Sequence, residues 1–264
     1  MGHFSIDERA QTISLPGERG AVLLLHGLTG SPYTFGPLAE SIANLGFEVL
    51  APLLPGHGTS PEHLQHTRWN DWLMAARTHF DDLAERHEQV FIVGFSMGSL
   101  LGIVLAQERG LRVAGLVVMA VPLNLGVKAQ TVLRLSRILP IATVMPYAQK
   151  KTGPDVSDAA VAAAMPSYDR TPIAAAASML DGQALASDRA RRLSIPVLVM
   201  HGRHDHVAPL RNGRIFYELL NTPRKHLIIY PKSWHILPLD IEHEEVAVDV
   251  TSFLKSPQAL GRNG

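Results

Sequence analysis

Short continuous apolar runs alternate along the chain with longer segments in which apolar residues return every three or four positions. The continuous runs are typical of strands buried on both faces of a parallel sheet. The pattern predicts six such strands, at Ala21–His26, Phe47–Ala51, Val90–Gly94, Ala114–Met119, Pro196–His201 and His226–Tyr230. Between them lie helical stripes, of which the one from Trp69 to Ala84 is the longest. The segment Ile6–Leu15 is expected to add an antiparallel edge strand or hairpin.

This alternation predicts an α/β fold with a mostly parallel, doubly wound sheet, and ligand chemistry at the carboxyl ends of its strands. One interval breaks the rhythm, because about seventy-five residues separate the fourth and fifth predicted strands, far more than a crossover helix needs. The interval contains helix-like pieces at Ala129–Leu139, Val156–Met165, Pro172–Leu180 and Ser187–Leu193. We expect residues 121–189 to form a helical cap inserted into a core of residues 1–120 and 190–264. Additional core packing is the alternative.

Composition narrows the class of protein. The 24 Lys and Arg residues equal the 24 Asp and Glu residues, so no general field attracts nucleic acid or an anionic membrane. The absence of cysteine excludes disulfides, thiolate metal sites and a cysteine nucleophile. The N-terminal residues are polar, and no window has the uninterrupted apolar length of a membrane span. A cytoplasmic protein without stable membrane insertion is therefore the default expectation, and a secreted protein without disulfides is the alternative.

The segment Gly94-Phe95-Ser96-Met97-Gly98 follows a predicted strand and precedes a helical stripe. A chain that reverses from strand to helix over one residue forces that residue to positive φ, and glycines two positions away on either side avoid collisions. Strand, G-x-S-x-G and helix together form a nucleophile elbow. We therefore predict that Ser96 is an exposed nucleophile at a helix N-terminus; a turn with an idle serine is the alternative.

A serine hydroxyl becomes a good nucleophile when a base takes its proton and a third group orients that base. Asp205 lies in the loop after the fifth predicted strand, and His235 lies in the loop after the sixth. The order Ser, Asp, His along the chain is the one expected for an elbow on this type of sheet. We predict Ser96, Asp205 and His235 as the catalytic residues, and Asp240 as the N-cap of the final helix.

A tetrahedral intermediate on Ser96 would need two N–H donors aimed at its oxyanion. Met97 follows the nucleophile directly and supplies one donor. The second is expected from the glycine-rich loop His26–Gly30, where we assign it to Leu28. A turn that serves only to reverse the chain is the alternative for this loop.

Four motifs resemble the α/β-hydrolase superfamily across essentially the whole chain: His26-Gly27, G-x-S-x-G around Ser96, H-G-x-x-D ending at Asp205, and S-x-H ending at His235. Further segments resemble the bacterial carboxylesterase and monoacylglycerol lipase group, namely HGLTGSP from His26, PGHGT from Pro55, Asp71-Trp72, and YDRTP from Tyr168. Ser99 departs from that group, which usually has a second glycine after the elbow. We expect a packing adjustment there without loss of activity.

The resemblance implies a helical cap that shields a hydrophobic acyl tunnel. Candidate substrate-binding residues are Leu123, Ile138, Met145, Asp169 and Val207, with Asp169 assigned to a glycerol headgroup; ordinary core or surface positions are the alternative for each. His57 is expected to satisfy a buried loop by hydrogen bonding. No metal or other cofactor is expected, because the histidines around Asp205 lack the spacing of a metal site.

These observations predict a serine hydrolase that cleaves carboxylic esters through an acyl-enzyme, as a carboxylesterase or monoacylglycerol lipase acting on medium-chain acyl esters. Its partner would be a small-molecule ester, with no nucleic acid. The same three side chains could instead serve an acyltransferase, a thioesterase, a C–C hydrolase or a haloperoxidase, and the scaffold could be a non-enzymatic ligand receptor. The sequence leaves the oligomeric state open.

Overall fold

The computed structural model describes residues 6–149 and 153–257. Residues 1–5, 150–152 and 258–264 belong to the predicted core and cap ranges and lie outside the described residues. Within the described part, a seven-stranded sheet runs in the order β1-β3-β2-β4-β5-β8-β9. Its strands are β1 (Ile13–Leu15), β2 (Ala21–Leu25), β3 (Glu48–Ala51), β4 (Val90–Phe95), β5 (Val113–Met119), β8 (Val197–Gly202) and β9 (Lys225–Tyr230). The two remaining strands, β6 (Tyr147–Gln149) and β7 (Arg170–Pro172), pair as a separate antiparallel ribbon.

The sheet confirms the predicted mostly parallel, doubly wound architecture. Every neighbouring pair in it is parallel except β1 and β3, which are antiparallel. The edge strand expected within Ile6–Leu15 is thus β1 alone, and the six parallel strands begin and end within one residue of their predicted bounds. The runs are continuous because both faces are covered: every residue of β2 is fully buried, with Leu23 and Leu25 facing one hydrophobic cluster and Val22 and Leu24 facing the other.

Several helices cover the two faces of the sheet. The α-helices of the described residues are α1 (Gly36–Ala43), α2 (Pro61–Leu64), α3 (Trp69–Arg86), α4 (Met97–Arg109), α5 (Val127–Leu135), α6 (Ile141–Val144), α7 (Ala159–Ala164), α8 (Ile173–Ala190), α9 (Arg211–Leu219) and α10 (His243–Lys255). Short 3-10 turns lie at Glu8–Ala10, Pro32–Phe35, Gly110–Arg112 and Leu237–Leu239. The apolar sides of α1 and α10 pack on one face, and those of α3, α4, α8 and α9 pack on the other. No helix in the described ranges is both long and apolar enough to cross a bilayer.

The insertion between β5 and β8 holds α5, α6, the β6–β7 ribbon, α7 and α8. The prediction of two separate helices at Pro172–Leu180 and Ser187–Leu193 is wrong, since α8 is continuous from Ile173 to Ala190. Its glycine, Gly182, does not end the helix; it lets α8 approach the Trp69 ring, which a Cβ at this position would meet at 2.3 Å. Because Ala175, Met179 and Ala186 join the main core cluster, α8 also serves as the crossover helix between β5 and β8. The division at residues 121–189 stays a prediction.

Candidate active site

Ser96 lies on a sharp turn between β4 and α4. Its backbone has φ 52° and ψ −119°, a conformation that residues other than glycine rarely adopt. A Cβ on Gly94 would lie 2.4 Å from the Gly98 carbonyl oxygen, and one on Gly98 would lie 1.8 Å from the Leu25 carbonyl oxygen. The two glycines therefore allow β4, α4 and the end of β2 to meet, as the elbow motif predicts.

The Ser99 hydroxyl stabilises this turn. Its hydroxyl oxygen lies 2.8 Å from the carbonyl oxygens of both Gly94 and Met119, and the side chain is fully buried. Ser96 N–H also donates to Met119 O at 2.9 Å. The hydroxymethyl group that stands in place of a glycine hydrogen thus has hydrogen-bond acceptors at the ends of β4 and β5, which is the packing adjustment expected. The expectation of unchanged activity stays a prediction.

His235 joins Ser96 and Asp205 at the carboxyl edge of the sheet. Its Nε2 lies 3.0 Å from Ser96 Oγ, and its Nδ1 lies 2.8 Å from Asp205 Oδ2. The other carboxylate oxygen of Asp205 accepts the N–H groups of Val207 at 2.9 Å and Ala208 at 2.7 Å. With Nδ1–H donating to the carboxylate, Nε2 is free to accept the serine proton. All three side chains are largely shielded from solvent, so the prediction of an exposed Ser96 is wrong: the serine lines the cavity that opens at the elbow.

The carboxyl group of Asp205 is ionised at neutral pH. Burial alone would raise its pKa, but His235 and a hydrogen bond from His201 lower the pKa to well below its usual range. His201 Nε2 lies 3.3 Å from Asp205 Oδ2 and 2.7 Å from Ala208 O. His201 begins the H-G-x-x-D motif, but no contact with Asp205 was predicted for it from the sequence, although their i, i+4 spacing indicates one. No group of three or more metal-ligating side chains converges in the described ranges.

The loop assigned to the oxyanion lies against Ser96. A Cβ on Gly27 would lie 3.1 Å from Ser96 Cβ, so only glycine lets the loop come this close without displacing a neighbour. Leu28 lines the cavity that opens at Ser96. Met97 is the first residue of α4, where backbone N–H groups have no partner within the helix. Both predicted donors thus adjoin the serine.

Two buried histidines support this loop from behind. His26 Nε2 accepts the Leu54 N–H at 3.1 Å, and its Nδ1 lies 3.0 Å from Gly27 O. Burial lowers the His26 pKa to about 4, against a smaller opposing effect of the Gly27 carbonyl. His57 lies edge-on to His26 at 4.8 Å between ring centres, and its Nδ1 lies 3.0 Å from Pro55 O. The predicted hydrogen-bonding role of His57 in a buried loop is confirmed.

A cavity of about 1020 Å³ extends from Ser96 beneath the insertion. Its lining is mostly apolar and comes from the loops around Ser96 and from α5 and α8, including Leu133, Ile173, Ala176 and Met179, none of which the sequence singled out. Met145 and Val207 line it, as predicted. The size and lining fit an elongated apolar ligand.

Three predicted substrate-binding residues do not reach this cavity. Leu123 and Ile138 line a separate depression of about 530 Å³, and Ile138, which lies beyond the end of α5, is 82% exposed. Asp169 is exposed, because the neighbouring Tyr168 takes the inward position. The Tyr168 hydroxyl accepts the Thr59 N–H at 2.9 Å and donates to Gly56 O at 3.2 Å, so the PGHGT and YDRTP segments contact each other.

The prediction that Asp240 caps the final helix is wrong. The helix α10 begins at His243, and Glu242 occupies its N-cap position. Asp240 is fully buried, and its carboxylate accepts the Trp234 N–H at 2.6 Å and the Ser157 N–H at 3.0 Å. Bonds to the preceding loop at Trp234 and to the distant loop at Ser157 therefore replace the local cap that the position before a helix suggested.

Known proteins resemble the chain over most of its length. It is 29% identical over 228 residues to the thermostable monoacylglycerol lipase of Bacillus sp. (strain H-257), covering 84% of each chain. It is also 29% identical to a carboxylesterase of Bacillus subtilis (strain 168), covering 89% of this chain and 92% of the relative. A solved structure from work on LipS and LipT, two metagenome-derived lipolytic enzymes, superimposes with a TM-score of 0.87 at 28% identity, covering 95% of this chain and 99% of the other. A model of the α/β-hydrolase family described as "Serine aminopeptidase, S33" matches residues 16–242, and the chain belongs to that family.

Proposed function

We propose that this chain is a serine hydrolase that cleaves carboxylic esters, as a carboxylesterase or monoacylglycerol lipase acting on medium-chain acyl esters. One observation carries the proposal: the hydrogen-bonded path from Asp205 through His235 to Ser96 ends in a mostly apolar cavity. A base in contact with a serine hydroxyl, beside space for an acyl chain, is the arrangement that acyl transfer requires.

In the proposed reaction, Ser96 Oγ attacks the ester carbonyl carbon while His235 Nε2 takes the hydroxyl proton. Asp205 stabilises the resulting imidazolium through Nδ1–H. The carbonyl oxygen, now an oxyanion, accepts the N–H groups of Leu28 and Met97. His235 then gives its proton to the alcohol oxygen as the C–O bond breaks, and the acyl group stays on Ser96. Water attacks the acyl-enzyme with His235 as base, which releases the acid and restores the serine.

The substrate class is inferred from the cavity and from the named relatives. At about 1020 Å³ the cavity lies at the upper end of the range of ligand sites, and its lining holds few polar groups to bind a charged substrate. Relatives named as a monoacylglycerol lipase and a carboxylesterase make ester cleavage the favoured reaction. We propose that Met145 and Val207, which line the cavity, contact the acyl chain. Leu123, Ile138 and Asp169 do not line it and are not proposed to bind substrate.

A chain-length series of p-nitrophenyl esters, run beside monoacyl-, diacyl- and triacylglycerols, tests the proposal. We expect the highest kcat/KM at medium acyl length, hydrolysis of monoacylglycerol, and little turnover of the bulkier glycerides. An amino-acid p-nitroanilide tests the peptidase activity that the family description names. Cleavage of the anilide without any ester, or a fluorophosphonate that labels a residue other than Ser96, would contradict the proposal.

A further inference from the structure

Three consecutive residues of the insertion, Asp155–Ser157, contact the loops that carry His235 and Asp205; we call them the strap. The main-chain carbonyl of Asp155 accepts the Ile236 N–H at 3.1 Å. Its carboxylate accepts the His206 N–H at 3.0 Å and lies 2.8 Å from His206 Nδ1. Asp155 therefore binds the residue after each of the two predicted catalytic side chains.

The other end of the strap holds the residue before His235. Ser157 binds the buried carboxylate of Asp240 through both its N–H and its hydroxyl, and the same carboxylate accepts the Trp234 N–H at 2.6 Å. The His206 ring also packs edge-on against the Trp234 ring, with 4.8 Å between centres. Backbone N–H groups thus hold the chain on both sides of His235. The insertion accepts the Ile236 N–H directly, through Asp155, and reaches the Trp234 N–H indirectly, through the contact of Ser157 with Asp240.

We propose that Asp155 is a positioning residue for the reaction, by which the insertion holds the base loop and the acid loop at the spacing seen here. This proposal rests on the proposed function. Neither loop lies within a strand or helix, so the contacts of His235 with Ser96 and Asp205 depend on how the loops are held. Catalytic groups tolerate errors of only about 0.5 Å, and a misplacement of about 1 Å can cost a factor of about 10² in rate.

The solvent exposure of the Asp155–His206 pair allows a positioning role to be distinguished from a role in stability. The Asp155 side chain is 14% exposed and the His206 side chain is 63% exposed. Water at the His206 side screens this pair, so its removal should change the unfolding midpoint little. A large loss of rate with a small loss of stability is therefore the signature of positioning.

The test compares Asp155→Ala and Asp155→Asn with Glu62→Ala. Glu62 also joins the insertion to the core, through Arg170 at 2.5 Å, but it belongs to α2 and does not line the cavity. Steady-state kinetics on p-nitrophenyl acetate and on a medium-chain ester are measured together with the rate of Ser96 phosphonylation by a small fluorophosphonate and with thermal unfolding. The small ester and the fluorophosphonate report on the serine without filling the acyl cavity.

We expect Asp155→Ala to lower kcat by the same factor on both esters, roughly ten- to a hundredfold, with a parallel fall in the phosphonylation rate. Asp155→Asn should recover part of the rate, because its amide oxygen can still accept the His206 N–H. Glu62→Ala should keep the wild-type rate within about twofold, the effect of an ordinary surface pair.

Two results would overturn the positioning role. A loss confined to the medium-chain ester would make Asp155 only a wall of the acyl cavity. A loss no larger than that of Glu62→Ala would show that the Asp155 carboxylate does not position the catalytic loops. If Asp155→Ala does not fold, Asp155→Asn carries the same comparison, since it preserves size and one acceptor. A folded wild-type chain that neither turns over esters nor reacts with the fluorophosphonate would refute the proposed function itself.

Discussion

The conformation of Ser96 is imposed by its neighbours. A non-glycine residue at φ 52° persists when the surrounding contacts over-determine it. Here those contacts are the bare backbones of Gly94 and Gly98 against α4 and β2, together with the two acceptors of the Ser99 hydroxyl. The turn that presents the nucleophile thus depends largely on two residues that have no side chain.

Ser96→Ala removes the nucleophile and little else. The hydroxyl contacts His235 Nε2, so its loss leaves a small gap in the elbow and no unpaired charge. We expect kcat to fall by several orders of magnitude while thermal unfolding stays close to wild type. Residual ester turnover near the wild-type rate in a folded variant would show that another residue attacks the ester.

Gly98→Ala should damage the elbow itself. The new methyl group would lie 1.8 Å from the Leu25 carbonyl oxygen, where neither strand nor helix can yield without moving Ser96. We expect a loss of about 3 kcal/mol in the free energy of unfolding, together with loss of fluorophosphonate labelling. Gly36→Ala is the control, because a Cβ there has nothing within 4 Å. Urea titrations of the two variants in which both matched wild type would contradict this account of the elbow.

At the scale of elements, the sequence predicted whatever a local pattern determines. Continuous apolar runs predicted the six parallel strands, and the carboxyl ends of those strands bring Ser96, Asp205 and His235 to one edge of the sheet. The insertion was less predictable, because its short helices and ribbon take their places from contacts with distant segments. The predicted places of Ile138 and Asp169 are wrong for this reason. Asp240 likewise binds the preceding loop at Trp234 and the remote loop at Ser157 instead of the helix that follows it.

The contact between α8 and α3 depends on Gly182. A Cβ there would lie 2.3–2.6 Å from atoms of the Trp69 ring, which is itself almost fully buried. Gly182→Ala should therefore push α8 away from α3 and cost about 1–3 kcal/mol of stability, despite the better helix propensity of alanine. Urea unfolding beside Gly36→Ala checks this. A stabilised Gly182→Ala variant would mean that the two helices can separate freely.

At the scale of the whole molecule, stability rests on two large hydrophobic clusters and a small one among the described residues, and on buried polar groups that must stay neutral. His26 is such a group, since burial lowers its pKa to about 4. Between that value and its ordinary value of about 6.5, the unfolded chain binds a proton that the folded chain does not. The free energy of unfolding is unaffected above this window and falls as the pH drops through it. His57, whose pKa burial also lowers, acts in the same direction.

We therefore expect acidification from about pH 7 to about pH 4 to cost about 3 kcal/mol through His26 alone. Urea midpoints measured across this range check the slope. His26→Asn keeps a donor near Gly27 O and cannot take up a proton. It should be less stable at neutral pH because the Leu54 N–H loses its acceptor, but its stability should depend less on pH. An equally steep pH dependence in the variant would assign the acid sensitivity to other groups.

The strands β5 and β8 lie side by side, so the chain leaves the sheet and returns to it at neighbouring points. A segment with adjoining entry and exit points can be replaced by a longer or shorter one without changing the strand order. In this molecule α8 must stay, because it is the helix that returns the chain to β8 and its apolar residues fill the core. A chimera that grafts a different lid onto this scaffold should therefore be cut after β5 and before Ile173, and the graft should carry its own equivalent of Asp155.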